Sequence, residues 1–119
     1  MTAIVLPWPP SNNTYYRRVG AKTLISAKGR DYCKDVVAIC AAAGVQKLEG
    51  RLCVTIAACP PDRRRRDLDN LLKGLLDALT HGGAWDDDSQ IDQLAIIRGP
   101  IKAQGCVEVT ISEIEGEAA

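Results

Sequence analysis

Four arginines and two aspartates stand almost side by side in the middle of this chain, in the segment RRRRDLDNLLK at 63–73. Adjacent like charges repel one another, and a phosphate backbone would relieve that repulsion. Asp67 and Asp69 are two residues apart, so in an extended segment both carboxylates would point the same way and could hold one hard cation. A phosphate-binding stretch beside a candidate metal site favours phosphoryl chemistry on nucleic acid.

A second acidic stretch, Asp86-Asp87-Asp88, follows Trp85. Mg²⁺ usually takes one or two carboxylates directly and completes its octahedron with waters and phosphates, so the first pair and one aspartate of the triplet would suffice. The alternative is that the triplet is solvated and that an aspartate before a helix only caps it. The arginines, together with Lys73 four residues after Asp69, favour a metal site.

Charge is unevenly distributed along the 119 residues, although the net charge is zero. Residues 1–66 carry 12 basic and 4 acidic residues, whereas residues 67–119 carry 3 and 11. Such asymmetry indicates an acidic site in a basic surround. The length predicts a single domain over 1–119. Without a cationic leader or an apolar run near the roughly 18 residues of a membrane span, we expect a cytoplasmic protein without a membrane partner.

Alternating apolar residues predict strands at 2–6, 52–58, 91–97 and 107–111, and segment 15–25 is predicted as a loop closing into a short strand. Ser26 is a plausible N-cap for a helix that ends near Gly44. Its predicted buried stripe comprises Cys33, Val36, Val37, Cys40 and Ala41.

A leucine stripe predicts a second helix over 68–79, with Asp67 or Asp69 as its N-cap and the acidic loop 84–90 after it. His81 precedes two glycines, a position from which a histidine commonly serves a helix C-terminus. The tail 113–119 is expected to fray. The order of elements predicts an α/β (α+β) domain in two layers, a mixed β-sheet with helices packed on one face.

Five cysteines occur, an odd number without any CxxC spacing. The spacing therefore indicates neither a disulfide framework nor a zinc site. We expect them to be reduced and to fill the core. They are Cys33, Cys40, Cys53, Cys59 and Cys106.

Two separated motifs occur together in the order found in one nuclease family. The first is LPWPPSNN at 6–13, followed by two tyrosines, and the second is PDRRRRDLDN at 61–70. A Ser-Ala helix start at 26–27 and the loop 85–90 accompany them. Over nearly the whole chain these segments resemble the RusA family of Holliday junction resolvases.

The resemblance implies a homodimeric crossover junction endodeoxyribonuclease, often prophage-borne, that acts in DNA recombination and repair. Such an enzyme binds four-way junctions and nicks two opposed strands symmetrically with Mg²⁺ or Mn²⁺. The resemblance also implies a catalytic set, whose aspartates bind the metal: Asp67, Asp69, Asp88 and Lys73. Asp87 matches a neighbouring acidic position, whereas Asp86 stands where we expect an apolar residue. Asp88 is preferred as the loop ligand because its distance to Gln90 matches the family's.

In this scheme the carboxylates and their ion position and activate a water for in-line attack, and Lys73 offsets charge on the phosphate, a role Arg66 could share. The residues expected to bind DNA are Arg63, Arg64, Arg65, Arg66 and Lys73. A four-way junction has approximate two-fold symmetry, and paired nicks therefore predict a two-fold dimer. Two alternatives remain: a metal-dependent nuclease for other branched DNA, and a non-catalytic DNA-binding or regulatory protein. Metal-dependent nicking separates the second alternative from the enzymes.

Overall fold

Every segment with alternating apolar residues is a strand in the structure, a computed structural model that describes residues 1–114. Two 3₁₀ helices, Leu68–Leu71 and Asp88–Gln90, supplement the regular elements. The helices and strands follow one another as β1 (Thr2–Pro7), α1 (Asn12–Tyr15), β2 (Tyr16–Val19), β3 (Lys22–Ile25), α2 (Ala27–Ala42), β4 (Leu52–Cys59), α3 (Leu72–His81), β5 (Ile91–Arg98) and β6 (Cys106–Glu113).

The main sheet is mixed, as predicted, with strand order β1-β6-β4-β5. β6 runs antiparallel to both β1 and β4. β4 and β5 are parallel neighbours, which is possible because α3 carries the chain back along the sheet between them. This crossover fixes the site, since the arginine segment leaves the end of β4 and the acidic loop enters the start of β5.

One face of the sheet carries the core. On β4, Val54 and Ile56 are fully buried, and Val109 of the adjacent β6 is 1% exposed. These side chains belong to one cluster with the buried residues of α2 and α3. The intervening residues of β4 and β6 are mostly half-buried, so the helices cover one face, as the alternation predicts.

α2 begins as predicted but turns a different side to the core. Ser26 is its N-cap and accepts a 3.0 Å hydrogen bond from the Gly29 amide. The buried residues are Gly29, Tyr32, Val36 and Cys40, whereas Val37 and Ala41 of the predicted stripe are exposed. The prediction was wrong for Val37 and Ala41, because α2 also packs through Gly29 and Tyr32. A pattern based on the spacing of aliphatic residues does not take a glycine or a tyrosine into account.

Tyr15 is fully buried at the meeting point of α2 and α3. A Cβ atom at Gly74 of α3 would lie 2.6 Å from Tyr15 Cδ2, and one at Gly29 of α2 would lie 2.3 Å from the Tyr15 carbonyl oxygen. Segment 15–25, predicted as a loop with one strand, is instead the end of α1 and the β2–β3 hairpin. This packing brings Tyr16 beside α3.

The predicted helix 68–79 is divided into a 3₁₀ helix, Leu68–Leu71, and α3. Its leucine stripe is confirmed, with Leu75 and Leu79 fully buried. His81 is the last residue of α3, and its Nδ1 lies 3.0 Å from the Asp77 carbonyl oxygen, in agreement with the predicted role at the helix end. The predicted tail is part of β6 at Glu113, and residues 115–119 lie outside the described residues. No helix in the described part is long and apolar enough to cross a membrane.

Candidate active site

The aspartates of the arginine segment lie at the start of the 3₁₀ helix Leu68–Leu71. Asp67 is the N-cap residue, as predicted, and has extended backbone. Its side chain makes no capping hydrogen bond, so the carboxylate is not used to cap the helix. Asp69 lies in the first turn. Both residues are exposed, and within residues 1–114 neither carboxylate has a hydrogen-bond donor or a cation as partner.

Most other aspartates near these loops are already paired. The Asp62, Asp77 and Asp92 carboxylates lie 2.7, 3.3 and 2.5 Å from an arginine or lysine nitrogen. Against that background, two neighbouring carboxylates without a cation form a set of hard oxygen donors. This donor set fits a small divalent ion that keeps waters and phosphates as its remaining ligands.

In the acidic loop, the first two aspartates are engaged in the fold. Asp86 forms a 3.0 Å ion pair with Lys47. Asp87 caps the 3₁₀ helix Asp88–Gln90: its carboxylate accepts from the Ser89 amide at 3.2 Å, and the Gln90 side chain accepts from the Asp87 amide at 3.0 Å. The hydrogen bond from the Ser89 hydroxyl lowers the pKa of Asp87.

Asp88 differs from both neighbours. It is exposed, and in the part of the chain that the structure describes its carboxylate takes part in no hydrogen bond or ion pair. Of the triplet, it is therefore the carboxylate left with free oxygen ligands. The residue pattern left the ligand open among the three positions, and the family resemblance favoured Asp88.

One chain does not bring Asp67, Asp69 and Asp88 together. The 3₁₀ helix Asp88–Gln90 leads directly into the start of β5, whereas the other end of β5 contacts the 3₁₀ helix Leu68–Leu71. Arg98, the last residue of β5, donates to the Arg66 carbonyl at 2.9 Å. These two connections place the acidic sites towards opposite ends of β5, and the three carboxylates accordingly form no group within 4.8 Å of one another.

Lys73 is held by two residues whose part in the site the sequence did not reveal. Its Nζ lies 3.3 Å from the Asp77 carboxylate and 5.1 Å from the centre of the Tyr16 ring. Tyr16 donates a hydrogen bond to the same carboxylate oxygen, and burial together with this hydrogen bond raises the pKa of Tyr16. Asp77, rather than Asp69, is therefore the partner of Lys73. The ammonium remains accessible, with 65% of the side chain exposed.

The four arginines are not equivalent. Arg66 is 20% exposed, lies 2.7 Å from the Asp62 carboxylate and stacks 5.7 Å from the Trp8 ring centre. The Arg66 hydrogen bond and the Arg64 amide lower the pKa of Asp62 to about 2. Arg66 therefore helps to hold the loop in place.

Arg63 and Arg65 are exposed and have no carboxylate partner within residues 1–114. Arg64 is also exposed but lies 3.8 Å from the Asp62 carboxylate. Beside them, a cleft of about 490 Å³ lies between the segment 8–11 and residues 65–67. The arginines with the most freedom to meet phosphates are thus Arg63 and Arg65.

Asn12, the first residue of α1, joins the N-terminal segment to the site. Its Nδ2 donates to the Asp69 carbonyl at 3.4 Å, and its Oδ1 accepts from the Gly74 amide at 3.3 Å. Both contacts span more than fifty positions of sequence, and the turn-forming residues around Asn12 gave no sign of them. Through Asn12, the start of α1 fixes the backbone that carries Asp69.

Comparison with known proteins places this arrangement in a family. The family profile described as "Endodeoxyribonuclease RusA" matches residues 7–112. The chain belongs to the RusA family. The family match covers both acidic sites and the arginine segment in one span, and confirms the family that the two motifs resemble.

Several RusA-family relatives match the chain over more than nine tenths of its length. The crossover junction endodeoxyribonuclease of Enterobacteria phage HK97 is 47% identical over 117 residues, covering 93% of each chain. Those of Shigella sonnei and Escherichia coli K12 are 44% and 43% identical over 116 residues, covering 97% of each chain. Phage proteins among these relatives accord with the expected prophage connection.

Proposed function

We propose that this chain is a crossover junction endodeoxyribonuclease, a Holliday junction resolvase that makes paired nicks in four-way DNA junctions. The proposal rests on one observation above all: a RusA-family chain carries two exposed aspartates that are unpaired within residues 1–114, directly after a run of four arginines of which three are exposed. The arginines suit a phosphate backbone, and the carboxylates suit the ion that phosphodiester hydrolysis commonly uses.

Asp67 and Asp69 would hold the divalent ion, Mg²⁺ or Mn²⁺, with Asp88 as a third ligand. When bound, the ion supplies Lewis-acid stabilisation of negative charge on the scissile phosphate. Lys73, whose ammonium Asp77 and Tyr16 keep in place, would contact the same phosphate. It donates to a non-bridging oxygen as charge develops there.

We further propose that the working unit is a homodimer and that a second copy supplies Asp88. Two features support it. One chain separates Asp88 from the Asp67–Asp69 pair by the length of β5, and a two-fold dimer would place one complete site at each of two opposed strands. In addition, the edge strand β5 leaves Leu94 and Ile97 42% and 59% exposed, apolar surface that a second copy could cover.

A cleavage assay on a synthetic four-way junction tests the proposed function. With Mg²⁺ the protein should make paired nicks in opposed strands, and chelation of the metal should stop them. Duplex and flap substrates of the same sequence serve as controls. Equal cleavage of the flap would point to a broader branched-DNA nuclease, and metal-independent binding without nicking would point to a non-catalytic protein.

Replacing Arg63 and Arg65 together by alanine should weaken binding to every DNA form. Because each lost phosphate contact releases one counter-ion fewer, the slope of log K against log salt should flatten by about 0.9 per contact. Fluorescence anisotropy across a salt series measures this slope. The matched comparison is the double replacement of Arg17 and Arg18, which are also exposed but lie on β2. If replacement of Arg63 and Arg65 leaves the slope of log K against log salt unchanged, these arginines face solvent and do not contact phosphates.

A further inference from the structure

Two cysteines and a glutamate meet on the face of the sheet that the helices leave uncovered. Cys59 ends β4 and Cys106 begins β6, and the two residues are direct partners in the antiparallel ladder. Glu108, two residues along β6, points to the same face. The two sulfurs and a carboxylate oxygen all lie within 4.8 Å of one another.

The spacing and the donor types suit a tetrahedral ion. Zinc binds thiolate sulfur at about 2.3 Å, which puts two sulfurs on one ion about 3.8 Å apart. Since the three donors lie within 4.8 Å of one another, they need to close by at most about 1 Å. Cys59 is 2% exposed, whereas Cys106 and Glu108 are half-buried, so the group has a shielded side and an open side.

We propose that Cys59, Cys106 and Glu108 form a binding site for a zinc-class divalent ion, with the fourth position open to solvent. The donor set separates this site from the aspartates at 67 and 69, since thiolates select softer ions than Mg²⁺. Binding releases the thiol protons to solvent, and no electron transfer is involved.

A lysine side chain is paired with the carboxylate of this group. The Lys102 ammonium lies 2.9 Å from the Glu108 carboxylate, and the hydrogen bond to Glu108, with smaller contributions from the two cysteines, raises the pKa of Lys102. About half of each of these two side chains is exposed, so the lysine can turn into solvent when a metal arrives. The Glu108 carboxylate of this group therefore already accepts a cation on its exposed side.

The position suggests a structural role near the arginine segment. Cys59 is followed by Pro60, whose carbonyl accepts from the Lys102 amide at 3.0 Å. A Cβ at Gly99 would lie 2.8 Å from Cys59 Sγ, so backbone packs closely against the inner thiol. An ion that joins the end of β4 to the start of β6 would stabilise the base from which the arginines leave the sheet.

A disulfide is the competing outcome, because two cysteines that face each other across a ladder can be near bonding distance. Titration of the reduced full-length protein with Co²⁺ separates the two. Two thiolates on one Co²⁺ give an intense sulfur-to-metal charge-transfer band, whereas an ion on aspartates gives none. We expect a saturable band with one ion per chain, which Zn²⁺ displaces.

Cys106→Ser should abolish the band, and Glu108→Gln should weaken binding by about tenfold or more. Cys53→Ser is the matched control, because Cys53 is half-buried on the same face of β4 but outside the group. Zn²⁺ should raise the melting temperature of the parent and of Cys53→Ser and leave that of Cys106→Ser unchanged. Circular dichroism establishes that each variant is folded.

Three results would each overturn the proposal: no charge-transfer band in the reduced parent, a band that persists in Cys106→Ser, or a Cys59–Cys106 disulfide that forms even with Zn²⁺ present. Junction nicking reports on the aspartates and is measured separately, so failure of the thiolate site and failure of the proposed nuclease activity remain distinguishable.

Discussion

Replacement of Asp69 by asparagine is expected to abolish junction nicking while junction binding stays intact or becomes tighter. Asparagine keeps the shape of the side chain but removes the proposed anionic metal ligand and a negative charge that would face phosphate. Loss of about 4 kcal/mol of metal-borne transition-state stabilisation corresponds to about a thousandfold in rate. Nicking under saturating enzyme and binding by gel shift measure the two effects independently.

Asp92→Asn is the matched control for Asp69→Asn. Asp92, on β5, is also exposed, but its carboxylate lies 2.5 Å from the Arg51 guanidinium. Replacement of Asp92 should therefore leave the nicking rate near that of the parent. If Asp69→Asn itself cleaves at close to the parental rate in Mg²⁺, the proposed metal site is wrong.

The acidic loop provides a second comparison within three consecutive residues. Asp88→Asn should lose nicking, because Asp88 has no partner among the described residues and is the proposed ligand. Asp86→Asn should retain it, since Asp86 is paired with Lys47. Equal loss from both replacements would mean that the loop contributes general negative charge rather than one specific ligand.

Local sequence patterns predict those parts of the fold that local forces determine. The alternation over β4 and the Ser26 cap of α2 both depend on neighbours within a few positions, and both are confirmed. The buried side of α2 depends instead on Tyr15, which packs between glycines of two helices. The spacing of aliphatic residues along α2 gives no information about this contact with a residue outside the helix. The predicted buried stripe was therefore wrong in part.

The same distinction applies to the candidate site. Asp67 and Asp69 directly follow the arginines in the sequence, so their closeness could be predicted. The engagement of Arg66 with Trp8, and of Lys73 with Tyr16, arises only when the N-terminal loop folds onto α3. Those contacts change the interpretation of the arginine segment: part of its charge is used to hold the loop, and the remainder stays exposed, as the proposed contacts with phosphate require.

The thiolate group is the extreme case. Cys59 and Cys106 have no sequence spacing typical of a zinc site, and none was therefore expected. The β4–β6 ladder places them opposite each other. A metal motif formed by two paired strands has no fixed spacing along the chain, because the connection between the strands can have any length.

Mixing two inactive variants should restore nicking if a second copy supplies Asp88. In a dimer of Asp69→Asn with Asp88→Asn, a site shared between chains combines the intact Asp69 of one copy with the intact Asp88 of the other. The opposite site of that dimer carries both replacements. Random exchange makes about half of the dimers mixed, so activity should return in part.

The restored activity should have a recognisable form, because a mixed dimer holds one working site. It should nick one of the two opposed strands and leave the other intact, whereas the parent nicks both. Strand-specific end labels on the junction distinguish these products, and mass measurement in solution establishes that the preparation is dimeric. Each variant incubated alone is the control. If the mixture is as inactive as its components while subunit exchange is demonstrated, then Asp67, Asp69 and Asp88 act within one chain, and the loop must move along β5 to reach the metal.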